Sequence, residues 1–423
     1  MQHLRAPFTR RTIIGGAAVG AATLASSNHV AMAAGAPPPA RTAGPTSRGT
    51  ALPEAGLPEI APRMSAPDQR IGFAFVGLGK LTLQELLPGV AQSKHVKIAA
   101  LVSGDAEKAR TVARQYGVPE SGIYNYQTYD EIRNNPDVQV IYIVLPNGMH
   151  AEYTIRGAKA GKHILCEKPM ANTSTECAQM IDACKSAGVS LMIAYRLQYE
   201  PFNRAAIDIV RSKKIGQAKI ITADNCQVQD DPSEWRLNKA LAGGGPLPDI
   251  GVYCLNACRY LTGEEPSEIA ATTYTTPGDE RFKEVEEAVS FRLTFPSGVI
   301  ANCSTSYAAF RTQRFQVVGT EGSVELDPAF AYRGLEMSVS RTEGGTNVRE
   351  MRQLTEKSQF ALEMDHMALC VRHNRRPHTP GEEGLQDVRL MEAIYKAAAS
   401  GQRIRLQPIE GRDVFRGPLP QDL

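Results

Sequence analysis

From Arg70 onward, apolar residues fall in short unbroken runs separated by stretches of helical spacing. Ile71-Gly72-Phe73-Ala74-Phe75-Val76 is the first run, with the length and composition of a strand buried on both faces. Runs at 97–102, near Ile123, and at 138–145, 163–166 and 190–194 read the same way. Between them the spacing predicts helices over 82–93, 106–116, 129–134, 151–160 and 173–187. Such alternation folds into a doubly wound parallel sheet, here over 70–194. After Tyr195 the texture changes. Ser290, Arg292 and Thr294 alternate with Val289, Phe291 and Leu293, the two-residue period of a sheet with one polar face. Segments 218–223, 268–274, 287–295, 298–306, 312–319 and 322–327 are expected to form a large, mainly antiparallel sheet. Helices are expected at 201–213, 248–261, 359–372 and 385–399. The α/β first domain is therefore followed by an α+β domain over 195–404, and 405–423 reads as a tail or edge.

The first 69 residues carry neither period. Arg5, Arg10 and Arg11 precede a weakly hydrophobic, Ala/Gly-rich stretch that ends in Ala31-Met32-Ala33, the pattern of a cleavable export signal over 1–33. Thr9-Arg10-Arg11-Thr12-Ile13-Ile14 reads as a twin-arginine signal, with an ordinary secretory signal or short anchor as the alternative. The twin-arginine machinery is then an expected partner, and the periplasm the expected location. Residues 34–69 are rich in proline and suit extended polyproline II, either as a linker or as an arm draped over a second copy in a dimer or tetramer. The 423 residues carry 47 Lys and Arg against 45 Asp and Glu, a net charge of +2 that excludes a dedicated nucleic-acid binder. No spanning apolar stretch follows the N-terminus, so stable membrane insertion is not expected. The eight cysteines show no C-x-x-C or zinc spacing and are expected to be reduced, and no metal is expected.

Five segments carry candidate chemistry. Gly77-Leu78-Gly79-Lys80 lies between a strand and a helix, where glycines let the backbone approach a pyrophosphate and the helix start offers N–H donors. This is the signature of a dinucleotide-binding Rossmann domain, with Thr82 at the usual third glycine. At the end of the second strand, Ser103 and Lys108 suit the 2′-phosphate of NADP. Asp105, two residues beyond Ser103, is the opposing signal for NAD. Glu167-Lys168-Pro169 ends a parallel strand, and Asp249 and Tyr253 share one face of a helix opened by Gly243-Gly244-Gly245. A lysine, a tyrosine and an aspartate brought together form a proton relay in which the ammonium favours the phenolate. Against this stand a surface salt bridge for Lys168, a helix cap for Asp249 and core packing for Tyr253. Leu145, Pro146, Asn147 and His150 sit at another strand end on the same rim, where a helix-start turn is the competing reading.

Gly77-x-Gly79, Pro146-Asn147-x-x-His150, Glu167-Lys168-Pro169 and Gly243-Gly244-Gly245…Asp249, in this order, resemble the Gfo/Idh/MocA oxidoreductase family over about 70–404. Within it, Leu101-Val102-Ser103-Gly104, Trp235-Arg236-Leu237 and Asp249-Ile250-Gly251-x-Tyr253 are similar to the glucose–fructose oxidoreductase branch. The resemblance implies tightly held NADP that cycles between two sugars or polyols: an aldose is oxidised at C1 to a lactone, and a ketose or second aldose is reduced. It places Lys168 and Tyr253 at the proton, with Asp249 orienting them. Ser103 and Lys108 would meet the 2′-phosphate, and Tyr126, Asn147, Glu167, Arg196, Trp235 and Arg236 would line the cofactor and sugar. Leu81-Thr82 and the loop at Leu197-Gln198-Tyr199 depart from that branch. Alternatives are an NAD-dependent glycoside hydrolase of the same family, a sugar dehydrogenase with exchangeable NADP, and a catalytically silent binding protein.

Overall fold

The structure, a computed structural model, describes residues 69–420; the expected signal, most of the Pro-rich arm and the last three residues lie outside them. Strands β1 (Ile71–Val76), β2 (Val96–Val102), β3 (Ile123–Tyr124), β4 (Val140–Ile143), β5 (His163–Glu167) and β6 (Leu191–Ala194) form one parallel sheet in the order β3-β2-β1-β4-β5-β6. The order reverses at β1 and β4, so the crevice above their carboxyl ends is the switch point at which such sheets bind ligands. Helices lie against both faces, which is why nearly every strand residue is apolar and enclosed. The helix after β1 begins as a π-helical turn, Thr82–Leu86, before α1 (Leu87–Gln92). The stretch expected as a helix over 129–134 is a 3-10 turn, Tyr129–Asn134.

The second sheet has nine strands. They are β7 (Ala218–Val228), β8 (Glu268–Tyr274), β9 (Ala288–Thr294), β10 (Ile300–Ser306), β11 (Ala308–Gly319), β12 (Gly322–Leu326), β13 (Met337–Glu343), β14 (Thr346–Arg352) and β15 (Ile404–Arg405). All pairings are antiparallel except β7 with β10. Its inner face packs on α7 (Val252–Thr262), continuous with the core of the first sheet. The β13–β14 hairpin is not anticipated by hydrophobic period, because β14 is exposed along nearly its whole length.

A charge network fixes the helices that frame the site. Arg259 on α7 is fully buried and bonds Glu265, Glu383 and Asp387, the last two on α9 (Gly381–Ser400). Arg416 completes it by bonding Glu383 and Asp413, and Asp413 holds Arg211. The segment after Arg405, expected as a tail or edge, is thereby pinned to the core. All eight cysteines are free thiols. Among the described residues no helix is long and apolar enough to cross a membrane.

Candidate active site

Lys168 follows β5 directly, so the strand end delivers it to the crevice. Asp249 and Tyr253 arrive from the second domain, on a π-helical turn (Leu247–Gly251) that runs into α7. The glycine run ahead of them is a close-packing device: a Cβ at Gly243, Gly244 or Gly245 would collide with Asn172, Tyr395 or Glu286. The three side chains converge. Lys168 Nζ donates to the Asp249 carbonyl at 2.7 Å, lies 3.5 Å from Asp249 Oδ1, and stands 4.7 Å from the Tyr253 ring centre. Asp249 is no helix cap. Its Oδ2 accepts from Arg236 Nε at 2.9 Å and from the Tyr307 hydroxyl at 2.7 Å. Burial would raise its carboxyl, yet Arg236 and Lys168 outweigh that and hold it down at about 2. Burial likewise acts to lower Lys168, but Tyr253, Asp249 and Glu167 keep the ammonium above its ordinary range. Lys168 is therefore a fixed positive charge against the phenol ring.

Arg196 completes the cluster from the other side. Its Nε donates to the Tyr253 hydroxyl at 3.2 Å, and its remaining nitrogens bond Gln359 Oε1 and the carbonyls of Phe330 and Ala331. The guanidinium lies 4.8 Å from the Tyr253 ring and 4.6 Å from that of Tyr332. Phe330 stacks on Tyr253 at 6.0 Å. Tyr332 is 41% exposed and Tyr307 is enclosed; both join the site unforeseen, since nothing adjacent in the chain marks them. The loop that carries Phe330 and Tyr332 also extends Arg333 to Glu85, in the first turn after the glycine pair, through two hydrogen bonds of 3.1 and 2.6 Å.

The dinucleotide cradle is formed by Gly77-Leu78-Gly79-Lys80. Gly77 has φ +95°, and a Cβ there would strike the Val144 carbonyl, whereas a Cβ on Gly79 would project into open space. That open approach to the backbone fits a pyrophosphate. Thr82, at the third glycine position, is buried and returns its hydroxyl to the Gly77 carbonyl at 2.6 Å. Leu78 is buried, so it offers only its backbone. Lys80 is exposed at the turn. At the end of β2, Ser103 Oγ accepts from the amide of Asp105, and Asp105 caps α2 (Ala106–Tyr116) by accepting from the Lys108 amide at 3.0 Å. The carboxylate that speaks for NAD is thus engaged as a helix cap. The Lys108 ammonium lies 4.0 Å from that carboxylate, and the Tyr126 ring lies over Gly104. The group at Ser103, Gly104, Lys108 and Tyr126 fits a 2′-phosphate.

The other rim residues divide. Leu145 and Pro146 are half-buried at the end of β4. His150, expected at the cofactor, is completely enclosed, with Nδ1 2.9 Å from the Pro169 carbonyl and Nε2 2.8 Å from that of Leu145. Burial lowers its imidazole, so the neutral ring has one N–H and donates to one of these two carbonyls, seated behind the rim between the two strand ends. Asn147 is similarly enclosed and bonds the Ala242 carbonyl at 2.9 Å, docking the glycine-rich loop. Arg196 is buried against Tyr253, and Glu167 beneath Lys168. Trp235 and Arg236 stack on each other at 4.6 Å, beside Asp249.

Comparison with known proteins bears on the family and the fold. Residues 71–195 match the model of an oxidoreductase family with an NAD-binding Rossmann fold, and 203–325 match the GFO/IDH/MocA C-terminal domain. The chain is 32% identical to a D-xylose 1-dehydrogenase [NADP(+)] of Haloarcula marismortui over 348 residues, 81% of this chain and 95% of the relative. It is 29% identical to D-xylose 1-dehydrogenase (NADP(+)) 2 of Haloferax volcanii, over 79% of this chain and 99% of the relative. Among solved structures, aldose-aldose oxidoreductase from Caulobacter crescentus, complexed with glycerol, superimposes with a TM-score of 0.77 at 45% identity. It covers 80% of this chain and all of that one.

Proposed function

The chain belongs to the Gfo/Idh/MocA oxidoreductase family, and from that premise we propose that it is an NADP-dependent sugar oxidoreductase that couples two sugars on one retained cofactor. Held by the Gly77-Leu78-Gly79-Lys80 turn and the group at Ser103, Lys108 and Tyr126, NADP would supply the hydride acceptor for oxidation of an aldose at C1 and the hydride donor for reduction of a second sugar. The convergence of Lys168, Asp249 and Tyr253 at the carboxyl end of the parallel sheet carries this reading. Tyr253 takes the proton of the C1 hydroxyl as the lactone forms and gives one back to the second sugar. Lys168 supports its phenolate, and Asp249, clamped by Arg236 and Tyr307, fixes Lys168 through its main-chain carbonyl and its carboxylate. Ser103, Lys108 and Tyr126 hold the 2′-phosphate, while the engagement of Asp105 as a cap disfavours NAD. Tyr332 and Trp235 each carry an arginine, Arg196 and Arg236, on one ring face and would meet a sugar with the other.

Retention of the nucleotide follows from location. A protein exported folded by a twin-arginine signal works where no soluble nicotinamide pool exchanges with it, so a second sugar must reoxidise what the first reduced. The likeness to an aldose-aldose oxidoreductase supports an aldose as the second sugar. A dimer or tetramer with the Pro-rich arm across a neighbouring copy belongs to the same reading. Purified mature protein, with no nucleotide added, should show reduced-nicotinamide absorbance on addition of glucose and lose it on addition of the second sugar. The likeness to two xylose dehydrogenases favours a second reading, exchangeable NADP. Turnover that depends on added nucleotide would establish that reading instead. Release of nitrophenol from a nitrophenyl glycoside would point to the hydrolase.

A further inference from the structure

Beneath Lys168, between the parallel sheet and α8 (Gln359–His373), Glu167 meets two polar groups that the reaction as described does not use, Tyr142 and Glu363. Tyr142 on β4 is fully enclosed. Its hydroxyl oxygen is 2.8 Å from Glu167 Oε1 and 2.9 Å from Glu363 Oε1. Glu363, on α8, is 0% exposed, and its other oxygen is buried with no hydrogen-bond partner. A phenol has one hydrogen and donates to one carboxylate; a second carboxylate at that distance would face only a lone pair. Two ionised carboxylates around one buried hydroxyl would also repel each other in a site from which water is excluded. One further proton resolves the count. An acid on one side donates to the Tyr142 oxygen, and the Tyr142 hydrogen goes to the carboxylate on the other.

The surroundings decide which side is the acid. Burial pushes Glu167 up, but it is opposed by the Lys168 ammonium, the Tyr142 hydroxyl, the Arg196 guanidinium and the Lys168 main-chain N–H on its carboxylate. Glu363 is faced by Tyr142 and Glu167 from the sheet and by Tyr199 from the segment after β6, with Arg196 as its favourable charge. Burial and the neighbouring Glu167 both push Glu363 well above the usual carboxylate range.

We propose that Glu363 is held as the neutral acid and, through Tyr142, fixes Glu167 as the carboxylate beside Lys168, making Glu363 and Tyr142 positioning residues for sugar oxidation. The chain Glu363–Tyr142–Glu167 then sets the charge that keeps Lys168 an ammonium and so supports the Tyr253 phenolate. This rests on the oxidoreductase reading above.

Two measurements test it. The infrared spectrum of the folded protein at neutral pH should contain a protonated carboxylic acid band that Glu363→Gln removes. In the wild type that band should persist into the alkaline range. The second is the pH profile of aldose oxidation in Tyr142→Phe, checked for folding by circular dichroism. Loss of the hydroxyl removes a donor that favours ionised Glu167, so the acid limb should move to higher pH and the rate fall about tenfold. Absence of an acid band sensitive to Glu363→Gln overturns the proposal, as does an acid limb that stays in place in Tyr142→Phe. Should Tyr142→Phe not fold, the infrared comparison decides alone. A protein that shows the band but oxidises no aldose contradicts the sugar-oxidation reading and leaves the proton assignment standing.

Discussion

Tyr253 is surrounded by two permanent cations, Lys168 at 4.7 Å from its ring and Arg196 Nε at 3.2 Å from its hydroxyl. On the proposed reading Tyr253 is the group that exchanges the substrate proton, with both cations fixed against its ring and hydroxyl. Lys168→Met and Tyr253→Phe should each lower turnover by roughly 10²–10⁴-fold while leaving the fold intact, as read by single-turnover kinetics and circular dichroism. Asp249 makes a second prediction. Its carboxyl is held at about 2 in the folded state, below its ordinary 3.8. The folded state therefore binds fewer protons there than the unfolded chain. The stabilisation is complete above the unfolded value and disappears as pH falls through 2. At neutral pH it amounts to about 2 kcal/mol. Urea denaturation of Asp249→Asn should show a loss of that order at neutral pH, and the gap to wild type should close in strong acid. Lys168, Asp249 and Tyr253 were legible in the chain because each stands in a local pattern. Tyr332, Tyr307 and Glu363 were not, since each meets the site only through the pairing of distant elements and none breaks the pattern of its own segment.

Elements explain how such residues hold their positions. The parallel strands were legible because burial on both faces leaves unbroken apolar runs, and the wet-faced strands β9 and β10 because alternation survives in them. The β13–β14 hairpin leaves no such trace, with polar residues on both faces. Even where helices were legible, their π-helical openings at Thr82–Leu86 and Leu247–Gly251 were not, for hydrogen-bond register has no signature in hydrophobic period. Arg259 anchors α7, the helix that presents Tyr253, to three buried carboxylates. Arg259→Met leaves Glu265 and Asp387 without their ion-pair partner, while Glu383 keeps Arg416, and should cost about 3–5 kcal/mol in denaturant titration, far more than a surface ion pair. The loop that bears Tyr332 is tied across to the phosphate turn by Arg333 and Glu85. Arg333→Ala should speed release of bound NADP by a few-fold, about 1 kcal/mol for a partly exposed pair, measured by exchange against labelled nucleotide. Unchanged release would assign that loop to substrate alone.

At the scale of the molecule, two sheets meet so that one brings Lys168 and the glycine cradle and the other brings Tyr253, Asp249 and the aromatic faces. Neither half is sufficient, which is why strand periodicity located the crevice while its lining required both domains. On the proposed reading the enzyme is exported and closes its own redox cycle, with a retained cofactor passing hydride between two sugars. The direct test is to incubate dialysed, mature protein with glucose and a second sugar, add no nucleotide, and quantify the products. The account predicts many turnovers per protein molecule, with aldonic acid or lactone from glucose and the polyol of the second sugar formed in equal amounts. No products, or products that appear only once NADP is added, would contradict it.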